Sequence, residues 1–192
     1  MELLSYKTLE KMGYDGFLQK DAPVKVLQFG EGNFLRAFVD YFFDLANEKA
    51  GYNGKVAVVQ PIAVGRKKEL NDQDGLYTVI LRGIQNGEKV IQKRIVSSIS
   101  QVINPYEEFE ALLAYAADPQ IRFVVSNTTE AGITYSDSDK LSDRPANTFP
   151  GKLTQLLYSR YKKGLPGFIF LPCELIDNNG DELKKCIVKY AE

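Results

Sequence analysis

The 192-residue sequence contains no histidine and no tryptophan, and only two cysteines, Cys173 and Cys186. Without histidine there is no imidazole base, no histidine-based triad and no histidine-ligated metal. Two sulfurs are too few for a structural zinc site or a disulfide scaffold, so no metal centre is expected and the pair reads as thiols in a reducing compartment. No apolar run approaches the ~20 residues that span a bilayer. The N-terminal segment places acids and lysines where a signal peptide needs an unbroken apolar stretch. Lys and Arg total 24 against 25 Asp and Glu, a net charge of -1. That balance argues against a nucleic-acid partner and against attraction to an anionic membrane. The expectation is a soluble, cytoplasmic protein that does not use the familiar hydrolytic machinery.

What is present looks globular, with 44% hydrophobic and 26% charged residues. Short apolar runs alternate with helical patterns, the signature of a parallel sheet covered by helices. Val24 to Phe29 reads as a first strand running into Gly30-Glu31-Gly32. From Asn33 to Asn47 a helix is expected, with Phe34, Phe38, Phe42 and Leu45 as its apolar stripe and Asp40, Asp44 and Glu48 on the other side. Gly51 and Gly54 end it before a second buried strand, Lys55 to Gln60, stopped by Pro61. Leu76 to Arg82 and Lys89 to Ile99 read as an antiparallel hairpin around Asn86-Gly87.

A helix is expected to start at Asn104-Pro105, with Glu107 in a capping box and Phe109, Leu112, Leu113 and Ala116 inward. Ile121 to Ser126 is a further strand, and Thr134 to Asn147 a polar loop. Pro150 to Tyr161 reads as a helix burying Leu153, Leu156, Leu157 and Tyr161. Gly167 to Leu171 is a strand and Asp181 to Tyr190 a last helix. The fold class is α/β: a mostly parallel sheet with helices on both faces and an antiparallel β excursion in the middle, residues 1–192 forming a single domain. The last helix reaches Glu192 without a glycine or proline stop, as expected of a domain cut from a longer chain.

The sharpest local signal is Gly30-Glu31-Gly32-Asn33-Phe34-Leu35-Arg36 directly after the first strand. A dinucleotide site needs a strand, a tight glycine turn and a helix whose N-terminus faces the pyrophosphate. Gly30 allows the turn, and Gly32 lets the backbone approach phosphate. Leu35 stands where G-x-G-x-x-G has its third glycine, and Arg36 offers a guanidinium to phosphate or an anionic substrate. The alternative is a structural glycine turn with Arg36 solvated.

No acid ends the second strand to hold an adenosine ribose. Arg66, Lys67 and Lys68 lie just beyond it, either to meet a 2′-phosphate or as a solvated helix start, so NAD and NADP both remain open. After the third parallel strand, Asn127, Thr128 and Glu130 are placed for nicotinamide, its ribose or substrate, or else form an Asx/Thr turn. Glu174, beyond Leu171-Pro172-Cys173, is a weaker substrate-side candidate.

The segments FGEGNFLRAF, NDQDGLYTV, SNTTEAG, RPANTFPGKLTQLL and LPCELIDNNGDELK, in that order from Phe29 to Lys184, resemble the mannitol dehydrogenase family of long-chain polyol dehydrogenases, on its uronate branch. The resemblance implies an N-terminal Rossmann-type domain that binds NAD. It further implies hydride transfer interconverting D-tagaturonate and D-altronate in hexuronate catabolism. By resemblance, Gly30, Glu31, Gly32, Asn33, Phe34 and Arg36 form the glycine-loop part of the cofactor site, and Asn127, Thr128 and Glu130 its second loop. The family's catalytic lysine, asparagine and histidine lie in a helical C-terminal domain. No segment here matches that motif, so no catalytic residue is expected in this chain and the missing domain is its implied partner. Leu175 stands where mannitol-type members carry an asparagine able to hydrogen-bond a developing alkoxide. The departure favours a sugar-acid substrate over mannitol. Fructuronate- or mannitol-type activity, or a non-catalytic dinucleotide-binding module, are the alternatives.

Overall fold

The computed structural model describes residues 2–129 and 131–192; Glu130 lies outside the described residues. Helix α1 (Tyr6–Lys11) precedes strand β1 (Val24–Phe29), which leads through the glycine turn to α2 (Asn33–Ala37) and α3 (Val39–Ala50). Then follow β2 (Lys55–Val59), α4 (Lys67–Asn71), the strands β3 (Tyr77–Gln85) and β4 (Glu88–Val96), and β5 (Ile99–Ile103). The rest is α5 (Phe109–Ala116), β6 (Phe123–Ser126), α6 (Phe149–Lys162), β7 (Ile169–Pro172) and α7 (Asn179–Ala191).

Five strands form one parallel sheet in the order β5-β2-β1-β6-β7. From β1 the chain steps outward to β2 and β5, then crosses back to β6 on the other side of β1. That reversal makes the carboxyl ends of β1 and β6 a topological switch point, where ligands of open α/β sheets bind. Phe29 pairs with Ser126 there.

The sheet is covered on both faces because its central strands alternate between two apolar layers. Leu27, Phe29, Ala57 and Val59 pack against Leu112 and Ala116 of α5, Leu153 and Leu156 of α6 and Leu183 of α7. Val26, Val56 and Val58 pack against Leu35, Leu70 and the base of the hairpin at Tyr77, Val79 and Val96. The hairpin is a separate two-stranded sheet turning at Asn86 and Gly87, both at positive φ, which suits a type I′ turn. Among the described residues no helix is long and apolar enough to cross a membrane.

Four sequence expectations change. The helix after the glycine turn breaks at Phe38, and its faces are reversed: Asp40, Asp44 and Asn47 are buried while Phe34, Phe38 and Phe42 are about half exposed. The reversal has a polar cause. Asp44 accepts from the Ser97 amide at 2.7 Å, the Ser97 hydroxyl at 2.9 Å and Arg94 Nε at 2.6 Å. Asn47 brackets the Gly54 backbone through both amide atoms, and Asp40 meets Gln28 of β1. Buried polar groups with dedicated partners override the hydrophobic stripe.

The second hairpin strand ends at Val96, and Ile99–Ile103 is a separate parallel strand pairing with β2. Helix α5 begins at Phe109 rather than Asn104, whose side chain instead closes a turn onto the Tyr106 amide. Glu108, not Glu107, accepts from the Asn104 backbone. Tyr161 is 79% exposed at the solvent side of α6.

Candidate functional site

The glycine turn uses its two glycines for different reasons. Gly30 sits at φ +120°, and a Cβ there meets the Asn127 carbonyl oxygen at 2.7 Å. Its glycine is demanded by the fold itself. Gly32 has φ -67° and ψ 166°, open to any residue, and a Cβ there meets nothing within 4 Å. Folding does not need glycine at 32, and the space above it is clear. No hydrogen bond among the described residues engages the Gly32, Asn33 or Phe34 amides, so three N–H groups border that space.

Gln28 supports the turn from beneath. Its amide nitrogen donates to the Gly30 carbonyl and to Asp40 Oδ2, each at 3.1 Å, inside the protein. Arg36 folds back to donate from Nε to the Glu31 carbonyl at 3.0 Å and from the guanidinium to Asn33 Oδ1 at 2.5 Å. It lies over the Tyr77 ring, whose hydroxyl donates to the Arg36 carbonyl. Arg36 thus braces the loop it belongs to rather than standing in solvent.

The Glu31 side chain turns toward the segment after β2, where Oε1 accepts from the Arg66 amide at 3.0 Å. Its burial pushes its carboxyl above the usual range. At the end of β2, Gln60 closes onto the Ile62 carbonyl and the Lys67 amide. The three basic residues there are paired: Arg66 with Glu69, Lys67 with Glu107 and Glu108, Lys68 with Asp72. Arg36 and Arg66 line one recess of about 390 Å³ with Gln73.

The loop after β6 is built by Glu174. This carboxylate is 4% exposed and accepts from the Thr128 amide, the Thr128 hydroxyl and the Ser126 hydroxyl, each at 3.1 Å. Asn127 is held by its amide to the Phe29 carbonyl and by Nδ2 to the Cys173 carbonyl at 2.6 Å. The ends of β1, β6 and β7 are therefore tied together, and Thr129 takes a left-handed φ of +76° as the loop turns away. Leu175 stands at the rim, 84% exposed. Burial raises the Cys173 thiol, which disfavours a thiolate nucleophile.

The geometry thus brings Gly30, Gly32, Asn33, Phe34, Asn127 and Thr128 to the switch point and sets Glu174 beneath them. Sequence reasoning missed Gln28 and Asp40, although a lone glutamine in the apolar run VKVLQF was a readable signal.

A profile of the mannitol dehydrogenase Rossmann domain matches residues 24–192. The altronate oxidoreductase of Bacillus subtilis is 49% identical over 187 residues, covering 95% of this chain and 38% of the relative. That of Pectobacterium atrosepticum is 47% identical over 190 residues, covering 96% and 38%. The chain thus spans less than two fifths of these relatives. Among solved structures, Pseudomonas fluorescens mannitol 2-dehydrogenase in a ternary complex with NAD and D-mannitol superposes with a TM-score of 0.83 at 23% identity, over 99% of this chain and 42% of that one. D-sorbitol dehydrogenase in substrate-free form superposes with a TM-score of 0.77 at 20% identity, over 98% and 43%. The chain belongs to the mannitol dehydrogenase family, its residues 24–192 corresponding to that family's Rossmann domain.

Proposed function

We propose that this chain is the NAD-binding half of an oxidoreductase that interconverts D-tagaturonate and D-altronate. The observation that carries the reading is the contrast between Gly30, which the fold requires, and Gly32, which it does not. A glycine free of any folding duty, beside unpaired amides at a switch point, fits a backbone that must come close to a pyrophosphate. The relatives' names supply the substrate pair.

A bound dinucleotide supplies the hydride. The chain's own residues hold and orient. Gly32 leaves room, and the Gly32, Asn33 and Phe34 amides would hold the phosphates. Arg36 stiffens that loop and adds a positive charge beside it. Asn127 and Thr128, held in place by Cys173 and Glu174, would hydrogen-bond the nicotinamide end of the cofactor. NAD is chosen over NADP on the similar Pseudomonas fluorescens mannitol 2-dehydrogenase, whose solved complex contains NAD.

No group in this set is a proton donor matched to a sugar carbonyl. The lysine that handles the proton is assigned, by family resemblance, to the segment the longer relatives carry beyond the match. Assaying a full-length version against tagaturonate, fructuronate and fructose tests the substrate. Tagaturonate is expected to give the highest kcat/KM, and a preference for fructose would overturn the uronate reading. The 192-residue chain alone is expected to reduce none of them.

A further inference from the structure

Helices α2 and α3 present the wrong face to solvent. Phe34, Phe38 and Phe42 are 49%, 50% and 51% exposed. Their rings form a continuous ridge, with centroids 5.4 Å apart between the first two and 4.9 Å between the last two. Tyr41 joins the ridge edge-on at Phe42. Both acids of the same stretch are withdrawn, Asp40 and Asp44 being fully buried, and its one cation, Arg36, is half-buried and bonded to its own loop. From Asn33 to Asn47 the surface is thus mainly aromatic and carries no exposed acid, whereas scattered single apolar residues are the norm for a free surface. Stacked exposed aromatics of this kind are the composition of an interface centre.

We infer that the Phe34–Phe38–Phe42 ridge is the seat of the second domain of the same polypeptide. The inference rests on the functional reading above and names where its missing half binds. Two observations choose this occupant over a second copy of the chain. About three fifths of the curated relatives' length lies outside the region matched here, a segment large enough to cover the ridge. The ridge also begins at Phe34, two residues after Gly32, so whatever covers it is delivered to the mouth of the glycine loop. A domain that completes a substrate cleft must arrive there; a self-dimer through the ridge would crowd the same loop in both copies.

The test compares dye binding by this chain and by a fusion that continues it with the C-terminal three fifths of the Bacillus subtilis relative. The 192-residue chain should enhance anilinonaphthalene sulfonate fluorescence, and Phe38→Asp with Phe42→Asp should cut that signal at least about fivefold without lowering the melting temperature. The fusion should bind little dye, and the double substitution should restore dye binding and expose the junction to limited proteolysis. Equal dye binding by chain and fusion would overturn the proposal. So would a chain that sediments as a dimer dissociated by the same substitutions, which would make a second copy the occupant. If the fusion does not melt cooperatively, hydrogen exchange on the intact Bacillus subtilis relative decides: slow exchange is expected in the segment aligned with residues 33–47, and fast exchange would refute docking there. NADH binding by the chain is measured separately, so undocked halves with intact NADH binding would sink the docking surface alone.

Discussion

Gln28 and Asp40 meet in a fully buried pair beneath the glycine turn, the Gln28 amide nitrogen 3.1 Å from Asp40 Oδ2. Among the described residues Gln28 Oε1 and Asp40 Oδ1 have no hydrogen-bond partner. Desolvation pushes the Asp40 carboxyl up to about 7, opposed more weakly by the Gln28 hydrogen bond and the Arg36 charge. A proton on Asp40 removes the cost of keeping a charged carboxylate out of water with so few hydrogen bonds.

The sign of the pH dependence follows. In the unfolded chain Asp40 titrates near its ordinary value of 3.8, whereas the folded state keeps the proton to about pH 7. Folding therefore takes up a proton between those values, and stability falls as pH rises through that window, by up to about 4 kcal/mol from this group. Asp40→Asn makes the buried side chain neutral at every pH. Chemical denaturation at pH 8 should find the variant more stable than the parent, with the difference gone below pH 4; a variant less stable at pH 8 would refute the neutral-acid assignment.

Gly30 and Gly32 separate folding from binding. Gly30→Ala forces a Cβ against the Asn127 carbonyl at a backbone angle that side chains rarely adopt, and should cost about 2–4 kcal/mol by thermal or urea unfolding. Gly32→Ala should leave stability within about 0.5 kcal/mol, yet weaken NADH binding at least about tenfold. Unchanged binding in Gly32→Ala would show that the open space is not used by the cofactor.

Glu174 is a positioning residue. Glu174→Gln keeps its size but turns an amide donor toward the Thr128 or Ser126 donors. The loop at Asn127 and Thr128 should loosen, with stability lowered by about 1–3 kcal/mol and NADH affinity reduced severalfold. Faster amide exchange confined to residues 126–129 would mark the effect as local. Global unfolding at neutral pH would instead make Glu174 a keystone of the whole sheet.

Asp44 is fully buried and its ion-pair partner is Arg94. Removing the guanidinium leaves an uncompensated buried carboxylate, so Arg94→Ala should cost about 3–5 kcal/mol, whereas Glu48→Ala, which removes the exposed half of the same cluster, should cost under about 1 kcal/mol. Equal effects in unfolding experiments would contradict this division.

The sequence revealed the parallel strands through their apolar runs and the hairpin through Asn86-Gly87, because both signals are local. The glycine turn was legible for the same reason, with Gly30 and Gly32 already given distinct duties. The orientation of α3 was not. Periodicity finds two faces of a helix but cannot say which is inward when Asp40, Asp44 and Asn47 have partners as distant as Gln28 and Ser97. Strand β5 was hidden because Ser97-Ser98, which separates it from β4, carries no glycine or proline. Glu174 looked like a loop acid, and only the pairing of β6 with β7 brings Ser126 and Thr128 onto it.

Calorimetric titration of the 192-residue chain with NADH and NADPH tests the central claim most directly, since it reads binding without a tryptophan, which the chain lacks. The account predicts micromolar to sub-millimolar binding of NADH, weaker binding of NADPH, and loss of both in Gly32→Asp. Absence of binding to either coenzyme by a chain that melts cooperatively would contradict it.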